Sequence, residues 1–191
     1  SNVEEYLDGF SDNVKDIIRR FNLKAQMRHM ASKDVLLDVL EKFTSPYINL
    51  TPKDIEDPEG NRLPALSNLG MGYVFEELVR RFNEQANEEA GDHFTPREVI
   101  RLMTHILYTG EEEIYRPGIV RTIYDPACGT GGMLSVSEEY IREHNDKANL
   151  ELFGQDYNDE SWAICCSDLL IKDAPVDNIV KGDVLGDGRT R

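Results

Sequence analysis

Three aspartates carry the chemistry that can be read from this chain. Each follows or ends a short apolar stretch: Asp125 follows residues 119–124, Asp156 ends LELFGQD (150–156), and Asp183 follows residues 178–180 and Gly182. Just after the first of them, Gly129, Gly131 and Gly132 crowd into a few positions before a segment with helical apolar periodicity. A β-branched and aromatic strand, an acidic corner, a glycine-rich turn and a helix predict the cofactor corner of an open α/β sheet. Missing side chains let a ligand approach the backbone closely, and Asp125 places a hydrogen-bond acceptor at the rim. An acid after the second strand is placed to accept from both ribose hydroxyls, and one after the third from an adenine amino group. The plainer alternative is a tight turn whose glycines only satisfy positive φ. One strand-end acid is unremarkable; three in register beside a glycine-rich turn make a specific pattern.

A second candidate lies upstream, in GDHFTPREVIRLM (91–103). Thr95, Pro96, Arg97 and Glu98 read as a capping box with proline at the first helical position. Val99, Ile100, Met103, Ile106 and Leu107 would then form the buried stripe. A helix start with free N–H groups and a positive dipole end suits a carboxylate or phosphate. Taken alone, the same pattern more often does no more than cap a structural helix. His93 and Phe94, just before the cap, could line a pocket or simply be packed.

These groups need elements to hold them. The first third of the chain is helical in pattern. Ser11 is placed to cap a helix burying Val14, Ile17, Ile18 and Phe21, and Ser32 a second one carrying Leu36, Val39, Leu40 and Phe43, closed by Pro46. Residues 50–68, with Pro52, Pro58, Gly60 and Pro64, read as a loop. A third helix is expected from about Met71 to Gly91, with Val74, Phe75, Leu78, Val79 and Phe82 inward. Glu111, Glu112 and Glu113 read as a solvated loop. After the glycine turn, a helix turns Met133, Val136, Tyr140 and Ile141 inward, and the helix after Asp156 carries Trp162, Cys166, Leu169 and Leu170 on one face. This βαβαβ alternation predicts an α/β fold with a parallel, Rossmann-like sheet over residues 91–191, preceded by a helical region over residues 1–90.

Composition narrows the function classes. With 191 residues, 40% hydrophobic and 30% charged, the chain suits a globular domain, or two small ones sharing a core. The net charge of -15 is repelled by phosphate backbones, so any grip on nucleic acid must come from a local basic patch, another subunit or further sequence. No apolar run approaches membrane-spanning length, and SNVEEYLDGF lacks a signal pattern, so no membrane partner is expected. Cys128, Cys165 and Cys166 do not suggest a disulfide framework, and the latter two read as small hydrophobes of a helix. His29, His93, His105 and His144 are scattered without metal-ligand spacing. A reduced, cytoplasmic setting is the expectation.

Together these motifs resemble the modification (M) subunit of type I restriction–modification systems, an adenine-N6 DNA methyltransferase, over nearly the whole chain. DPACGTGG (125–132) resembles the family's first S-adenosylmethionine motif, and GDHFTPREVIRLM the motif that precedes it. FGQDYNDESWAICCSDLLIK (153–172) is similar to the second, IVKGDVL (179–185) to the third, and MGYVFEEL (71–78) to the end of the family's helical N-terminal region. The resemblance implies the first half of a methyltransferase sheet and S-adenosylmethionine as cofactor. It implies that His93, Phe94 and Thr95 flank the methionine end. Asp125, Ala127, Gly129 and Gly131 would surround the amino acid and sulfonium portion, with Asp156 on the ribose and Asp183 at the adenine amino group. It also implies DNA as substrate, and specificity and restriction subunits as partners in a hetero-oligomer.

One departure matters. In the family an Asn/Asp/Ser-Pro-Pro-aromatic motif follows the third motif and presents the flipped adenine. Here prolines stand at 46, 52, 58, 64, 96, 117, 126 and 175, and none is followed by another. No catalytic residue is therefore assigned, and the chain is expected to be an N-terminal, cofactor-binding portion that is inactive alone. The alternative is a non-catalytic module that docks other subunits or holds S-adenosylmethionine. A nicotinamide oxidoreductase is disfavoured, because the glycine spacing does not follow G-x-G-x-x-G.

Overall fold

Helical periodicity organises the first part of the chain and strand–helix alternation the second. The computed structural model describes residues 2–90 and 95–186, the backbone alone at Asn2 and over 83–90. Its contacts form two units, Ser1–Val74 and Phe75–Arg191. Among the described residues no helix is long and apolar enough to cross a membrane.

The first unit begins with α1 (Asn2–Asp8), α2 (Asp12–Arg20), α3 (Leu23–Ser32) and α4 (Leu36–Phe43). In α2 Ile17 is buried and Val14, Ile18 and Phe21 are half-buried, the stripe expected from spacing. Ser11 does occupy the N-cap position. Its hydroxyl, however, donates to Asn13 Oδ1 (2.5 Å) instead of accepting from the helix. Ser32 starts nothing. It ends α3, a helix that periodicity does not reveal because none of its residues is buried, and its hydroxyl donates to the His29 carbonyl (2.7 Å). Left-handed Asn22 (φ 51°) makes the sharp entry into that helix. In α4 Leu36 and Val39 are half-buried, while Leu40 and Phe43 are exposed.

The stretch expected as a loop holds a small antiparallel ribbon, β1 (Ile55–Glu56) with β2 (Arg62–Leu63). Asp57 Oδ1 makes its turn by accepting from the Glu59 and Asn61 amides (2.9 and 2.8 Å). Two-residue strands carry too little pattern to be read from sequence. Helix α5 (Asn68–Ala90) follows, and the two units divide within it. Its inward face is narrower than expected: Phe75 and Val79 are half-buried, whereas Val74, Leu78 and Phe82 are exposed.

The second unit continues with α6 (Arg97–Tyr108), a 3-10 turn (Glu112–Tyr115), β3 (Val120–Asp125), α7 (Gly132–His144), β4 (Asn149–Asp156), α8 (Asp159–Ile171) and β5 (Ile179–Lys181). The strands are parallel in the order β3-β4-β5, with Asp125 beside Gly154 and Asp156 beside Lys181. This is the α/β alternation expected from the sequence. Leu134, Val136, Ile141, Leu152, Cys165, Cys166 and Leu169 form the core, so the adjacent cysteines are indeed small buried hydrophobes. Strand β3 is half open, with Val120 and Tyr124 exposed, and one expectation fails beside it. Helix α6 buries Ile100 and Thr104, while Val99, Met103, Ile106 and Leu107 are exposed. The face α6 buries is set by its neighbour α7, where a Cβ on Gly132 would come within 2.6 Å of Ile100 Cδ1. The acidic stretch before β3 is partly ordered as well: the 3-10 turn buries Ile114, and Glu113 pairs with Arg121.

Candidate functional site

The carboxyl ends of β3 and β4 build the site. Asp125 leaves β3 and turns the chain by accepting from the Ala127 amide (3.1 Å), an Asx turn that the Asp-Pro sequence favours. The Cys128 amide donates to the Gln155 carbonyl (2.9 Å), which latches the turn onto β4. Asp156 completes the latch. One of its carboxylate oxygens accepts from the Gly129 amide and the other from the Asn158 amide, both at 2.8 Å. The next strand is tied in by the Gly182 amide, which donates to the Asp156 carbonyl (2.9 Å). Asn158 then caps α8, its Oδ1 accepting from the Glu160 and Ser161 amides at 2.9 Å.

The turn needs glycine for two different reasons. Gly131 has φ 86°, and a Cβ there would stand 2.7 Å from Cys165 Sγ, so it lets the turn pack against α8. Gly129 has φ 53°, and a Cβ there would meet nothing within 4 Å. That side of Gly129 is open space, and its amide is held by Asp156, whose charge is also felt by Asp125. Burial raises the Asp125 carboxyl above its ordinary range; the Ala127 amide opposes this and the nearby Asp156 charge adds to it. Two carboxylates around an open glycine bend repel a pyrophosphate but suit a ligand carrying positive charge and hydroxyls. Each Asp156 oxygen accepts one backbone amide, and a carboxylate oxygen has a second acceptor site.

The residues expected at the site divide into groups. Asp125, Ala127, Gly129, Gly131 and Asp156 come together at the β3–β4 edge. Asp183 lies just past β5, exposed, with Oδ1 accepting from the Leu185 amide (2.9 Å). His93 and Phe94 lie outside the described residues. Thr95 is described and exposed, but the capping box does not form: α6 starts at Arg97 with Pro96 as N-cap and no side-chain cap bond. Arg97 instead reaches Glu76 on α5 and both oxygens of Glu139 on α7 (3.1 and 2.9 Å). Glu76 also holds Lys172, which pairs with Asp168 (2.8 Å); sequence reading missed this ion network, in which the Asp168–Lys172 pair at helical i,i+4 spacing had a local signal. A cavity of about 430 Å³ elsewhere, within the first unit, is lined by Lys15, Arg19 and Lys24 among others, and by none of the strand-end residues.

A model of the N-6 DNA methylase family matches residues 67–191. The type I restriction enzyme HindI methylase subunit of Haemophilus influenzae is 28% identical over 105 residues, 53% of this chain and 21% of that protein. The MjaIX methylase subunit of Methanocaldococcus jannaschii is 30% identical over 108 residues, 56% of this chain and 18% of that one. Among solved structures, the type I restriction–modification methyltransferase subunit of Streptococcus thermophilus aligns with a TM-score of 0.50 at 24% identity, over 63% of this chain and 25% of that one. A protein described as a class I S-adenosylmethionine-dependent methyltransferase, from Listeria monocytogenes, aligns with a TM-score of 0.51 at 16% identity, over 63% of this chain and 35% of that one. At these identities the structures establish a shared fold. The chain spans about a fifth of the length of these curated relatives.

Proposed function

The chain belongs to the N-6 DNA methylase family, and on that premise we propose that it is the S-adenosylmethionine-binding portion of a type I restriction–modification methylase subunit. The observation that carries the reading is the open, positive-φ bend at Gly129, latched by Asp156 and preceded by the Asp125 turn, with the two carboxylates close enough to influence each other. Its negative rim complements a sulfonium and an ammonium group, which a dinucleotide's phosphates would not. When bound, S-adenosylmethionine supplies an activated methyl group, which the whole protein would deliver to N6 of an adenine in DNA.

In this reading the chain's residues bind and orient. Asp156 accepts from the ribose hydroxyls, and Asp183 from the adenine amino group. Asp125, with the backbone at Ala127, Gly129 and Gly131, surrounds the amino acid and sulfonium portion. His93, Phe94 and Thr95 flank the methionine end from just before α6. Because the chain carries a net charge of -15, contact with DNA falls to other parts of the protein and to a specificity subunit, alongside a restriction subunit. DNA modification of this kind is work for the cytoplasm. One observation favours the second reading, a module for docking other subunits: the exposed apolar side of α6, with Leu102, Ile106 and Leu107.

Calorimetric titration of the chain with S-adenosylmethionine and, separately, with NAD tests the cofactor assignment. Binding of the first and not the second is expected, and Asp156→Ala should weaken it by about 1–3 kcal/mol, the range for a lost charge-assisted hydrogen bond. NAD binding without S-adenosylmethionine binding would overturn it. Methyl transfer to DNA by the full gene product separates the catalytic reading from the docking one.

A further inference from the structure

Within the second unit, ionic and hydroxyl side chains join α5, α6, α7 and α8 behind the glycine turn. Glu76, from the MGYVFEEL stretch, places one carboxylate oxygen on Arg97, the first residue of α6, and the other on Lys172 at the end of α8. Arg97 also grips Glu139 on α7 (2.9 and 3.1 Å). Lys172 reaches Asp168 (2.8 Å) and Ser135 Oγ (3.3 Å), and Ser135 Oγ itself donates to Asp168 Oδ2 (2.9 Å). The Ser135 amide makes the first backbone bond of α7, to the Gly131 carbonyl (3.0 Å), so the relay reaches a residue one helical turn from the glycine bend. The side chains of Lys172 and Asp168 are only 10% and 5% exposed. Ions this buried hold their geometry only when all are paired, and loss of one partner leaves another uncompensated.

We propose that Glu76 is a positioning residue for the cofactor site. Through Arg97 it fixes the start of α6, immediately after residues 93–95, and through Lys172 and Ser135 it fixes the turn at Gly131. The link to cofactor rests on the reading given under Proposed function; the link to the turn does not. It also gives the MGYVFEEL stretch a role in binding although none of its residues stands at the strand ends.

The test uses Glu76→Gln in the whole chain, which keeps side-chain size and removes the charge. S-adenosylmethionine affinity, thermal midpoint and amide hydrogen exchange are measured well below the midpoint of each variant. Affinity should fall about tenfold, with faster exchange at residues 97–100 and 131–135 and unchanged exchange in β4. Ile114→Val, a core change in the 3-10 turn, should lower the midpoint and leave affinity alone. Wild-type affinity in Glu76→Gln, or an affinity loss without faster exchange at residues 131–135, overturns the inference. Should the wild-type chain bind no S-adenosylmethionine, the cofactor reading fails. The exchange measurement then decides the positioning role alone, and unchanged exchange at residues 131–135 overturns it.

Discussion

At Asp125, stability and the proposed cofactor binding pull in opposite directions. Burial, with Asp156 nearby, raises its carboxyl above the ordinary value of 3.8 despite the Ala127 amide. The folded state therefore holds the proton more tightly than the unfolded chain. Its contribution favours folding fully below pH 3.8 and is lost as pH rises through the raised folded-state value. Asp125→Asn, a permanently neutral mimic, should accordingly raise the thermal midpoint at pH 7. The gap to wild type should narrow as pH falls toward the carboxylate range, which scanning calorimetry across pH would follow. The same substitution should weaken S-adenosylmethionine binding about tenfold, about 1.4 kcal/mol, because a cationic ligand loses one of two carboxylates. A midpoint that drops at pH 7 would mean that Asp125 does more for the turn than its bond to Ala127.

At the scale of elements, α6 is the instructive case. Its sequence offers two apolar sides, and the packing of α7 selects the one with Ile100 and Thr104. Ile100→Ala should cost about 2–5 kcal/mol by leaving a cavity under the turn. Ile106→Ala, at 68% exposure, should fall within about 0.5 kcal/mol of wild type. Urea denaturation of the two variants checks this, and equal losses would put the buried face elsewhere. Helix starts show the same division between pattern and outcome. Asn158 caps α8 with two bonds, whereas Ser11, Ser32 and Thr95 have the right residue types and make no such bond. A capping residue states a capacity; the path of the entering chain decides whether its oxygen reaches the free amides.

For the whole molecule, charge is the governing quantity. With 36 acidic against 21 basic residues, the chain should show no measurable binding to duplex DNA at about 0.15 M salt, where surface electrostatics act over about 8 Å. Fluorescence anisotropy with a labelled duplex measures this. Tight, salt-sensitive binding would reveal a phosphate-binding surface of its own and remove the need for a DNA-gripping partner. By itself the sequence determined the βαβαβ order, the acids at the strand ends and the glycine turn. These depend on two-residue and 3.6-residue periodicities and on turn chemistry that act within a few residues. Only the tertiary structure decided which side of α6 is covered and that Asp156 latches Gly129 across 27 residues. It alone also joined Glu76 to Arg97 and Lys172, 21 and 96 residues away. A charged side chain carries no local mark of its partner. The pairing exists only once packed helices bring the two together and exclude the water that would otherwise solvate them.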